Sequence, residues 1–124
     1  MKIAVCETEG MIDGPGEAAN IVIYETTPNI KIVERYENPA LKATAARGIW
    51  MLRSAIERGA KIIIVAEAGP SAFSFLKGKA EIFLGKNMKE ECAVEDFLKG
   101  NLQKLDKPTH EPCIIITAPS VKAI

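Results

Sequence analysis

The chain is short of aromatics, histidine and paired cysteines, and each shortage closes off a kind of function. Aromatic residues make up 6% of the 124 positions, so the core has to be aliphatic, built from the Ile and Val that suit buried strands. Three cysteines, Cys6, Cys92 and Cys113, stand far apart without a C-x-x-C pair. That spacing signals neither a disulfide framework nor a zinc ribbon. The single histidine, His110, and Cys113 supply at most half of a metal site. No apolar run approaches a membrane span, and Ile3 to Cys6 is too short for a signal peptide's hydrophobic region. A cytoplasmic protein without a membrane partner is expected.

Net charge is also lacking: sixteen basic and sixteen acidic residues cancel. They do not cancel locally, since residues 1–40 carry −4, residues 41–89 carry +6 and residues 90–124 carry −2. With no overall surplus of Lys and Arg and no basic-aromatic cluster, nucleic acid is not an expected partner. Twelve of the basic residues are Lys and thirteen of the acids are Glu, a bias shared with heat-adapted proteins.

What is present is the alternation of an α/β domain. Lys2–Cys6 and Lys61–Ala66 are continuous apolar runs, as in strands covered on both faces. Gly10 to Gly16 reads as a long loop. Asn20–Glu25 and Ile30–Tyr36 flank the turn residues Thr26-Thr27-Pro28-Asn29 and form a hairpin whose second strand is the less buried. A helix follows Asn38-Pro39 and ends near Arg58, with Ile49, Leu52 and Ile56 inward and Gly59 as its C-terminal stop. A second helix opens at Gly69-Pro70-Ser71 and ends by Gly78, with Phe73 and Leu76 inward, and Ala80–Leu84 is a fifth strand. A third helix starts at a capping-box-like Asn87-x-x-Glu90 and places Val94, Phe97, Leu98, Leu102 and Leu105 on one face, with Gly100 to end or bend it. The expected fold is a single-domain, mixed five-stranded sheet, antiparallel at the hairpin, between layers of helices.

The sequence holds several fragments of known sites. Gly14-Pro15-Gly16-Glu17-Ala18-Ala19 spells G-x-G-x-x-A with Glu34 at the distance of a ribose-binding acid. It does not sit between a strand and a helix, so a dinucleotide site is not expected. Cys6 closes the first strand, at the sheet end where open α/β folds bind ligands. Cys92 reads as packing. No Ser, Cys or His stands beside an activating partner. The Gly69-Pro70-Ser71 turn leaves the Ser71 and Ala72 amides available to an anion, with the Glu67 carboxylate beside them.

Three ordered segments carry a resemblance: Asn38-Pro39 followed by Ala46-Arg47-Gly48, "VAEAGPSAF" from Val65 to Phe73, and "VEDFLKGNL" from Val94 to Leu102. Together they resemble the dinitrogenase iron-molybdenum cofactor biosynthesis family, over roughly residues 1–105. The resemblance implies a ribonuclease H-like α/β/α sandwich and a binding or carrying role for a metal-sulfur cluster rather than catalysis. Where that family's pattern has a His-Phe-Gly-Arg-like segment this chain has Gly14-Pro15-Gly16-Glu17, and Leu41, Lys42 and Ala43 stand where many members have a His.

The expected protein is therefore a non-enzymatic binder of a small anion or metal cluster, with the usual metal-ligand positions largely lost and no metal as purified. Its cleft would be formed by Cys6, the 7–19 loop with Gly14 and Gly16, the 38–48 segment with Asn38, Arg47 and Gly48, and Gly69, Pro70 and Ser71. Cys6 would be the first ligand of any metal. The alternatives are a phosphoryl hydrolase, for which Glu7, Glu9, Asp13 and Glu67 are the only acids able to hold two metal ions, or a structural module. Residues 106–124 extend the core, and "CIIIT", Cys113–Thr117, is expected to add a strand to its own sheet or to a homodimer.

Overall fold

The computed structural model describes residues 1–109. The expected 113–117 strand, His110 and Cys113 lie outside them. Seven strands form one sheet: β1 (Lys2–Thr8), β2 (Met11–Ile12), β3 (Asn20–Glu25), β4 (Lys31–Glu37), β5 (Ala60–Val65), β6 (Glu81–Leu84) and β7 (Gln103–Lys104). Three α-helices, α1 (Arg47–Glu57), α2 (Pro70–Leu76) and α3 (Glu90–Leu98), join a short 3-10 helix at Pro39–Lys42.

The strand order is β4-β3-β1-β5-β6-β7, with β2 folded against the end of β1. β1 pairs antiparallel with β3 and parallel with β5, and β5 pairs parallel with β6. The five long strands are those read from the apolar runs and the hairpin. Ile3, Ala4, Val5 and Cys6 are fully buried because β1 lies at mid-sheet with helices over both faces. Its alternate residues enter different cores. Ala4 and Cys6 pack with Met51, Leu52, Ala72 and Leu76 from α1 and α2, whereas Ile3 and Val5 pack with Ala93 and Val94 from α3.

Four details depart from the sequence reading. Met11–Ile12 is not loop but a strand paired back onto β1, through a turn at Glu9 and Gly10, whose φ values of 52° and 83° suit a two-residue hairpin connection. α1 begins only at Arg47 and buries Met51, Leu52 and Ala55, while Ile49 and Ile56 are half-buried at the margin of the stripe. The N-cap of α3 is Lys89, without a side-chain cap, and the expected cap residue Asn87 is held in a left-handed turn. α3 stops at Leu98, ahead of Gly100 at φ 79°. Beyond it the chain crosses to pair as β7 with β6, so Leu102 and Leu105 join cores on opposite faces and Leu98 is left exposed.

Candidate functional site

A cleft of about 210 Å³ opens beside the carboxyl ends of β1 and β5. Three separate segments line it: Pro15, Gly16 and Glu17 from the loop after β2, Gly48 and Ile49 from the start of α1, and Glu67, Ala68, Gly69, Ser71 and Ala72 from the β5–α2 turn. Of the expected site residues, Gly16, Gly48, Gly69 and Ser71 meet here.

The others serve the cleft from behind or lie outside it. Asn38 is fully buried. Its amide Nδ2 donates to the carbonyls of Pro15 (2.9 Å) and Ala18 (3.0 Å), and its Oδ1 accepts from the Ala40 amide (3.0 Å). It therefore shapes the loop without touching the cavity. Arg47 directs Nε to the Ala40 carbonyl at 3.0 Å. Pro70 takes the first turn of α2, where its missing amide hydrogen costs nothing. Ala72 donates its backbone N–H to the Gly69 carbonyl at 3.2 Å, so one of the two amides expected to be available to an anion is engaged.

Cys6 does not line the cleft. Its thiol is fully buried, and burial, with Asp13 and Glu17 adding negative potential, drives its pKa far up. A thiol in that state is protonated in the metal-free protein. Cys92 is exposed on α3.

The four acids considered for two-metal chemistry do not converge. Glu7, the neighbour of Cys6 on β1, belongs to the opposite face of the sheet, since side chains alternate along a strand. There its carboxylate accepts from Gly10 N (2.8 Å), Asn20 Nδ2 (2.9 Å) and Arg35 Nη1 (3.0 Å). Asp13 accepts from Thr8 Oγ1 and the Gly14 amide, both at 2.7 Å. Among the described residues no group of three or more His, Cys, Asp or Glu side chains is placed to hold a metal ion.

The feature that sequence reading missed is the meeting of Glu17 and Glu67. Their carboxyl groups are neighbours beside Gly14, and desolvation followed by the charge of Glu67 raises the pKa of Glu17. Gly14 lies against both: a Cβ there would stand 2.8 Å from Glu67 Oε2 and closer still to Glu17 Oε1. A side chain at position 14 would force one or both of these carboxyl ends to shift. The sequence signal was slight, because Gly14 and Glu17 are three residues apart and Glu67 is fifty further on.

On the other face, Arg35 of β4 bridges Glu7 and Glu90, and the Tyr24 hydroxyl donates to Glu90 Oε2 at 2.5 Å. Glu90, expected as a capping-box partner, instead anchors α3 to the sheet. Among the described residues no buried side-chain polar atom lacks a partner.

A seven-stranded, mixed α/β sheet with a glycine-lined cleft at its strand ends defines the structural class. The profile of the dinitrogenase iron-molybdenum cofactor family matches residues 1–100, and the chain belongs to that family. No curated protein matches it. Among solved structures it is similar to the apo form of the orange protein from Desulfovibrio gigas, with TM-score 0.79 and 23% identity over 88% of this chain and 96% of that one. It is also similar to a candidate NifB protein from Thermotoga (TM-score 0.71, 22% identity, 90% and 98% covered). A third is a candidate dinitrogenase from Methanocaldococcus jannaschii (TM-score 0.69, 17% identity, 87% and 97% covered). At these identities the structural likeness speaks for the fold alone.

Proposed function

We propose that this protein is a small, non-enzymatic binding protein of the iron-molybdenum cofactor family, which takes its ligand in the cleft between the 14–18 loop, Gly48 and the Gly69–Ser71 turn. The observation that carries this reading is the cleft itself. Three segments remote in sequence bring Gly16, Gly48, Gly69 and Ser71 to one cavity at the strand ends, the usual ligand position of an open α/β sheet. We read the order of the five long strands, with β3 alone antiparallel to its neighbours β1 and β4, as ribonuclease H-like.

The lining does not suit a cluster fixed by covalent ligands. Iron-sulfur centres are held by thiolates or imidazoles, whereas this cavity offers backbone, one hydroxyl and two carboxyl groups. We assign no side chain of this chain to metal ligation. A ligand here would be held by shape, backbone hydrogen bonds and Ser71. The phosphoryl-hydrolase alternative loses its support because Glu7 is spent on the other face of the sheet.

Protein purified anaerobically should be analysed for elements and by absorption spectroscopy, then titrated with tetrathiomolybdate while the amide spectrum is followed. The expected protein is colourless and metal-poor, with shifts at Gly16, Gly48 and Gly69 on titration. Stoichiometric metal retained through gel filtration would overturn the absence of fixed ligands, and shifts confined to other surfaces would overturn the site.

A further inference from the structure

Glu17 belongs to the loop wall of the cleft and Glu67 to the β5–α2 wall, and one carboxyl oxygen of each lies against Gly14, so the two side chains approach each other from opposite walls. We propose that this carboxyl pair is a proton-operated gate, closed across the cleft while the two groups share one proton and open when both are ionised. The inference rests on the reading of this cleft as the binding site and adds its regulation.

The backbone on both sides is pinned, which decides what can move. On the loop wall, Asn38 holds the carbonyls of Pro15 and Ala18, so only Gly16 and Glu17 lie between the anchors. On the other wall, the Ala66 amide donates to the Asp13 carbonyl at 3.0 Å, and the Ala68 amide donates to Thr109 Oγ1 at 3.0 Å, on either side of Glu67. Two like charges on neighbouring carboxyl groups repel. With both walls fixed, the repulsion is relieved by swinging side chains apart rather than by shifting strands. Glu17 is the more exposed of the two and is the one free to leave.

The surrounding charges favour the shared proton. The other groups that bear on Glu17 are Asp13, which adds negative charge, and the buried thiol of Cys6 beneath. From α1, Arg47 has its Cβ beside Gly16, but its Nε is committed to the Ala40 carbonyl. From α2, the lining residues Ser71 and Ala72 carry no charge. No cation is seen to compensate the pair among the described residues, so the proton takes that role. The sign follows: Glu17 titrates above its ordinary 4.5, the folded state holds a proton the unfolded state has lost, and stability falls as pH rises from there through the raised value.

The test is a pH titration of the full chain, reading the side-chain carboxyl carbons of the glutamates by NMR together with the backbone amides of the cleft. Glu17 is expected to titrate above the ordinary glutamate value, and Gly16, Gly48 and Gly69 should shift with the same midpoint. Glu67→Gln should lower the Glu17 midpoint toward the ordinary value, leaving the part due to desolvation and Asp13, and Glu17→Gln should remove the transition from the cleft amides. Glu91→Gln, on the exposed side of α3, should change neither. An ordinary midpoint for Glu17, or cleft amides that ignore it, would overturn the gate. So would separation of the pair by Mg²⁺ at constant pH in preference to protons, which would make it a cation site. The pH titration itself uses no ligand, so its outcome is independent of whether the cleft binds one.

Discussion

Asn38 holds Pro15 in place: its side-chain amide donates to the Pro15 carbonyl at 2.9 Å across 23 residues of sequence, with both groups out of reach of solvent. The same Nδ2 secures Ala18, and the Oδ1 caps the 3-10 helix at Ala40. One side chain thus fixes the loop wall of the cleft and the path into α1. Asn38→Ala would strand two carbonyls and an amide, and unsatisfied buried groups cost about 1–3 kcal/mol each. Partial relaxation leaves an expected loss of about 3 kcal/mol in urea unfolding, with altered amide shifts from Pro15 to Ala18. A loss well under 1 kcal/mol would show that the loop is held by other means.

Arg35 ties the edge strand β4 to α3 with two bonds to Glu90, both 3.2 Å, and a third to Glu7. Removing it leaves two nearly buried carboxylates facing each other with no cation between them. Breaking a fully buried pair costs about 3–5 kcal/mol. The Arg35 side chain is 42% exposed, which reduces the expected cost of Arg35→Met to about 2 kcal/mol. Urea unfolding at neutral pH checks this, and a loss well under about 1 kcal/mol would contradict the assignment.

The two described cysteines should react differently with thiol reagents. Cys92 is exposed and Cys6 is fully buried with its ionisation suppressed. At pH 8, iodoacetamide followed by peptide mass spectrometry is expected to find Cys92 alkylated and Cys6 untouched until denaturant is added. Rapid labelling of native Cys6 would mean that its strand end opens readily.

At pH 7 phosphate should raise the melting temperature no more than chloride at matched ionic strength. The turn at Gly69 has its Ala72 amide engaged, which removes one of the two donors it was expected to offer a phosphate oxygen. Native-state ligands stabilise by mass action. A phosphate-specific rise would therefore restore the turn as an anion site.

The sequence by itself determined the class of fold. The runs at Lys2–Cys6 and Lys61–Ala66 lack alternation and so had to be covered on both faces, and the hairpin through Thr26–Asn29 set the antiparallel strand. Pro70 and Gly78 bracketed α2 because each acts on its own local backbone. The ordered segments around Asn38-Pro39 and Val65–Phe73 carried the family.

Tertiary structure decided the roles of individual polar groups. Glu90 has the spacing of a cap, and the fold uses it instead to bind Tyr24 and Arg35 from β3 and β4. Cys6 and Glu7 are adjacent in sequence, yet β1's central place in the sheet sends them into opposite cores, one as a buried thiol and the other as an ion-pair partner. Glu17 and Glu67 become partners only after Asn38 and Thr109 have fixed the walls that carry them. Local pattern specifies periodicity and turns because those depend on neighbouring residues. Which carboxyl meets which depends on contacts between distant segments, and it is settled by the packing of the whole sheet.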